Sequence, residues 1–144
     1  MAYEELLKKG LIKPFDAEPS QVSGRILLAK RDIQTARTPA IGFDWAYSIA
    51  YNAMLQSARA LMFAEGYRPS GGEGQHRAVV RFVEMALGRK FEEETRFFDK
   101  MRIKRNRAVY DTAGIISESE ARQAIEFADK FIRIVEAEIK ERGF

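Results

Sequence analysis

The chain has 144 residues, no cysteine and one histidine, which fits one domain that buries about two-thirds of its unfolded surface without a covalent staple. The missing cysteines exclude a disulfide framework, a thiol nucleophile, an iron–sulfur cluster and Cys-ligated zinc, and one histidine excludes a two-His metal site within a single chain. Hydrophobic residues at 46% and charged residues at 31% are globular proportions, and a net charge of +3 admits a polyanionic partner without requiring one.

Glycine and proline cut the chain into helical blocks. Tyr3 to Lys9 reads as a short amphipathic helix stopped by Gly10, and Leu11 to Pro19 as an irregular link. From Gln21 to Arg37, Val22, Ile26, Ala29, Ile33 and Ala36 recur at helical steps, and Thr38-Pro39 stops the run. Asp44 is placed to cap the next helix, which carries Tyr47, Tyr51, Met54, Ala58, Leu61 and Met62 on one stripe and ends at Gly66. A glycine-rich loop, Tyr67 to Gly74, precedes a helix from Gln75 to Leu87 with Val79, Phe82, Val83 and Ala86 aligned. Another helix starts at Phe91 or Glu92 and is expected to reach about Thr112. Ser117-Glu118-Ser119-Glu120 has the form of a capping box and opens the last helix, with Ala121, Ile125, Ala128, Phe131 or Ile132, Val135 and Ile139 inward.

No segment sustains strand alternation. The expected fold is all-α, an antiparallel up-and-down helical bundle of about five main helices. Residues 1–20 would be a short N-terminal helix and linker, and residues 21–142 the bundle. Glu4 and Glu5 near the start argue against a signal peptide. Asp44, Asn52, Gln56, Ser57 and Arg59 make Phe43 to Ala64 too polar for a transmembrane span. A soluble, cytoplasmic protein without membrane attachment is expected.

The block from Phe91 onward carries the chemistry. Phe97, Phe98, Met101, Ala108 and Val109 form its apolar stripe, and Arg105 falls inside it. A guanidinium there is costly unless it is paired, snorkels past the core edge or lines a cleft. Around it, Arg96, Lys100, Arg102, Lys104, Arg105 and Arg107 are opposed only by Asp99. Such a cluster is either a solvated helix face or a track for phosphates. Asn106 and Tyr110, four apart, would share a side of the helix beside Arg102. An amide reads base edges or sugar hydroxyls, a phenol stacks on bases, and arginines hold phosphate. The glycine-rich loop lacks a preceding strand and a G-K-[ST], so it is no P-loop. His76, at a helix start, reads as a capping or surface group, and Tyr47 and Tyr51 as core aromatics whose hydroxyls find partners. Glu92, Glu93 and Glu94 suit the positive end of a helix, and no metal site or cofactor is expected.

Arg105-Asn106-Arg107-Ala108-Val109-Tyr110-Asp111 resembles the signature of the HEPN superfamily, an R-N-x-x-x-H or R-x-x-A-x-Y type motif late in a helical bundle. Tyr51, Ala53, Met54, Ala58, Ala60 and Leu61 look like the second bundle helix of prokaryotic HEPN proteins, and Gly74-Gln75-His76-Arg77 resembles the loop before their next helix. The similarity spans Val22 to Lys140. It implies a homodimer whose motif helices line a shared cleft, and metal-independent endoribonuclease activity in toxin–antitoxin or defence systems. It also implies, for some members, a nucleotidyltransferase partner.

By the same resemblance Arg105 binds the scissile phosphate and Asn106 is the polar residue that follows it. The expected phosphate-binding set is Lys100, Arg102, Arg105 and Arg107. The candidate catalytic set is Arg105, Asn106 and Tyr110, with His76 as a further site residue. The motif histidine does not carry over: Tyr110 stands five positions after Arg105, and a phenol accepts protons poorly at neutral pH. Three roles follow: an RNA-binding protein of ribonuclease type, a non-catalytic dimeric protein acting through a partner, and a small-nucleotide-binding or modified regulator under a nucleotidyltransferase, with Tyr110 or a nearby hydroxyl as acceptor.

Overall fold

The computed structural model describes residues 3–72, 74–111 and 113–144. Helix α1 (Glu4–Lys8) leads into strand β1 (Ile12–Pro14) and helix α2 (Pro19–Ala36). Helix α3 (Phe43–Glu65), strand β2 (Tyr67–Pro69) and helix α4 (Gln75–Leu87) follow, then helices α5 (Glu92–Asn106) and α6 (Glu118–Glu141). Among the described residues the fold is thus an all-α bundle of five main helices, with one short helix and a two-stranded ribbon added.

Cross-helix bonds give the directions. Arg25 donates to Gln56 at 2.8 Å and Asn52 to Asp32 at 3.0 Å, so α2 and α3 run antiparallel. Lys30 pairs with Glu136 and Arg37 with Glu126, which sets α6 antiparallel to α2. Lys104 pairs with Glu120 and Lys130 with Glu94, which does the same for α5 and α6.

The stripes read from helical periodicity are the core. Val22, Ile26, Ala29, Ile33 and Ala36 of α2 are buried, as are all six stripe residues of α3. In α6, Ala121, Ile125, Ala128, Phe131, Ile132, Val135 and Ile139 are buried as well. The caps explain the boundaries. Pro19 takes the first turn of α2 behind a Glu18–Gln21 capping box, and Ser117 accepts from the Glu120 amide to open α6. Gly66 ends α3 at φ 94°, a left-handed conformation that glycine adopts without strain. Beyond α6, Arg142 ties three helix ends together. It donates to the Glu65 carboxylate, to the Glu138 carbonyl at 2.9 Å and to the Ala86 carbonyl at 3.1 Å.

Four expectations change. Asp44 does not cap α3: Gly42 precedes the helix, and Asp44 sits in the first turn, where its Oδ2 accepts from the Gly114 amide at 2.7 Å. The α5 block does not continue as α-helix to Thr112. It passes into a π-turn over Arg107–Asp111, and Thr112 lies outside the described residues. With that change of phase, Val109 leaves the buried stripe and is 48% exposed.

The irregular link and the glycine-rich loop also contain paired backbone. Ile12 pairs with Pro69, Lys13 with Arg68 and Pro14 with Tyr67 in an antiparallel ribbon. Three-residue strands are too short to show alternation, and a proline in each fits only strands with a free edge. Ile12 is buried with Leu6 in the common core, and Tyr3 stacks on Phe82 with ring centroids 4.2 Å apart. The ribbon sends the chain back along α3, so α4 begins beside the middle of that helix. Gln75 and His76 there meet Arg59 and Tyr51.

Candidate functional site

Tyr51 is the hub of the site. It is 1% exposed, and its ring is packed by residues from two other helices. Phe98 of α5 lies with its ring centroid 5.8 Å away, and His76 of α4 at the same 5.8 Å. The Tyr51 hydroxyl and His76 Nδ1 are 3.3 Å apart and hydrogen-bonded. Arg105 places its guanidinium carbon 5.8 Å from the Tyr51 ring centroid, a cation–π contact.

Arg105 therefore stands where its place on the Phe98–Met101–Ala108 stripe puts it, toward the core. It has no ion pair among the described residues. Its Nη1 donates to the Asn106 side-chain Oδ1 at 3.5 Å, and its buried Nε has no hydrogen-bond partner. An enclosed donor on a cation without a partner is held at a cost unless something else occupies it. Arg102 beside it is mostly enclosed and donates from Nε to Asp99 at 2.8 Å.

A third arginine, missed in the sequence, completes the cluster. Arg59 of α3 is half-buried and donates to Gln75 at 3.5 Å. Burial and then the neighbouring Arg25 lower its pKa. The available signal was the one charge in the run from Met54 to Met62. His76 feels burial first, then Arg59, Arg105 and Arg102, and each disfavours the imidazolium, so its pKa falls below 6.5. Burial pushes the Tyr51 phenol up, so it stays protonated. Burial also pushes Tyr47, one turn nearer the start of α3, up to about 12, with Glu120 adding to the effect.

The remaining expected residues divide. Lys100 and Arg107 are exposed and lack ion-pair partners among the described residues, whereas Arg96 pairs with Glu92 and Lys104 with Glu120. The one-sided charge of the helix is thus partly neutralised within the fold. Asn106 stays beside Arg105. Tyr110, on the π-turn, is 74% exposed and stands apart from the Tyr51 cluster. A groove of about 880 Å³ between α4 and α5 takes in Arg102 and extends past Arg77, Arg81 and Arg89, with Glu84 and Glu92 also on its walls. Among the described residues there is no group of three or more side chains able to hold a metal ion, and no helix is long and apolar enough to cross a membrane.

The all-α bundle thus gathers arginines around a buried tyrosine. The model of the HEPN domain matches residues 25–139, and the chain belongs to that family. HEPN domains are generally RNA-binding, ribonuclease-like or nucleotide-related. No curated protein matches the chain.

Proposed function

We propose that the chain is an RNA-binding HEPN protein of ribonuclease type, with Arg105, Arg102 and Arg59 as its phosphate site. One observation carries this: Arg105 is held over Tyr51 with its Nε enclosed and unpartnered, although a carboxylate would be the ordinary partner of such a group. A phosphodiester is the partner we infer for this guanidinium, which has no carboxylate against it among the described residues. Lys100 and Arg107 add charge at the rim, Asn106 is placed for a base or sugar contact, and the α4–α5 groove offers the strand a way out past Arg77.

The test is RNA binding across a salt series. Arg105→Ala is expected to weaken binding of single-stranded RNA about tenfold or more and to reduce the slope of log K against log salt by roughly 1. Binding with unchanged affinity and slope removes Arg105 from the site. We also propose a homodimer formed through the motif helix, where Ile103 and Val109 leave apolar surface exposed. The setting we infer is a cytoplasmic toxin–antitoxin or defence system.

A second reading has its own observation. Tyr110 is an exposed phenol on a π-turn, open to a modifying enzyme. In that case the chain is a non-catalytic partner of a nucleotidyltransferase. Peptide mass spectrometry after co-expression with a minimal nucleotidyltransferase is expected to show an added nucleotide on Tyr110, and an unmodified Tyr110 rejects this reading.

A further inference from the structure

We propose that α4 supplies the imidazole missing from the motif helix: His76 is the general base of an RNA transesterification at the arginine cluster. This rests on the RNA reading above and goes beyond it, because it assigns chemistry to a residue outside the motif. His76 is the chain's only histidine, and the fold carries it to the hub that holds Arg105.

The groups that face it are Tyr51 and Arg59 from α3, and Arg102 and Arg105 from α5. None of them is a carboxylate; Asp99 of α5, which acts on Tyr51, is bound to Arg102. With burial and three guanidinium groups against the imidazolium, the ring is neutral at pH 7, which suits a proton acceptor. Its Nδ1 is bound to Tyr51. In the tautomer where Nδ1–H donates to the phenol oxygen, the Nε2 lone pair is the free one. Tyr51, protonated and packed on both sides, fixes that orientation. It is a positioning residue here.

The step balances without a co-reactant. The phosphodiester lies on Arg105 and its neighbours. The ribose 2′-hydroxyl gives its proton to His76 Nε2 as the 2′ oxygen–phosphorus bond forms. The bond from phosphorus to the 5′ oxygen breaks, and that oxygen takes a proton from water. The hydroxide left is neutralised by the proton on His76. The products are a 2′,3′-cyclic phosphate and a 5′-hydroxyl. The arginines hold the charge that builds on the phosphoryl oxygens.

The experiment uses the full chain and a short fluorescent single-stranded RNA, with a 2′-deoxy copy as the uncleavable arm. Wild type is expected to cleave the RNA to cyclic-phosphate ends and to bind both strands. His76→Ala should lose about 100-fold or more in kcat, keep its Kd within about threefold, and regain rate when free imidazole is added. His76→Gln, which can still bond Tyr51, should bind but not cleave. The wild-type rate should rise with pH through a value below 6.5 and then level off. Cleavage unchanged in both His76 variants overturns the proposal. So does loss of cleavage without imidazole rescue, the result of a merely structural role. Arg105-dependent binding without cleavage overturns His76 as a base and leaves the RNA reading standing. RNA that is not bound at all overturns both.

Discussion

Arg105 occupies a position between Met101 and Ala108 where an apolar side chain would pack without penalty. Enclosing a guanidinium there costs stability that a site can recover when an anion arrives. His76 adds a pH dependence of its own. Its pKa in the folded chain lies below its ordinary 6.5, so the unfolded chain binds the proton more readily. The stabilising contribution is complete above about pH 6.5 and is lost as pH falls through the folded value. Urea titrations at pH 8 and pH 5 should therefore show wild type losing more stability than His76→Gln; identical losses would place the imidazole in an ordinary aqueous setting. Arg105 was legible because a charge breaking an apolar stripe is a local signal. Asn106 followed from the motif. The meeting of His76, Tyr51 and Arg59 was not legible, since periodicity says which face turns inward and not which residues of another helix wait there. The π-turn that carries Tyr110 was not legible, because the local pattern through Arg107–Asp111 reads as ordinary helix.

At the level of elements, the ribbon and the π-turn do what the helices cannot. From Tyr51 to the end of α3 is about 21 Å at 1.5 Å per residue, and the return through β2 brings α4 back alongside. The long helices were legible to within a few residues, because their stripes and caps are strong local statements. The ribbon was not, being three residues long on each strand. At the far end of the bundle, Arg142 binds Glu65, the Glu138 carbonyl and the Ala86 carbonyl at once. Arg142→Ala is expected to cost about 2–3 kcal/mol, as charge-assisted bonds at a partly buried site are lost. Urea unfolding should show a lower midpoint with an unchanged slope. A midpoint equal to wild type would mean that water replaces the arginine without loss.

For the whole molecule, charge and shape bear on assembly. A net charge of +3 is modest, and much of the α5 charge is paired within the fold. On the RNA reading proposed above, recognition would depend on the enclosed arginines more than on overall attraction. One motif helix makes a shallow wall, and two would make a cleft. Light scattering over a range of concentrations is expected to give twice the 16.5 kDa of one chain. Ile103→Asp should return a single-chain mass with helical content unchanged. A single-chain mass for wild type at every concentration contradicts the homodimer.

Because β1 lies outside residues 25–139, the span that marks the family is shorter than the span that packs the core. A polypeptide trimmed to those limits would leave β2 with a bare backbone edge, take Leu6, Ile12 and Val22 out of the core and remove Arg142. Such a fragment is expected to aggregate through the open edge and the uncovered apolar surface. The stretch that carries the family likeness and the stretch that must be present to hold the site together differ at both ends.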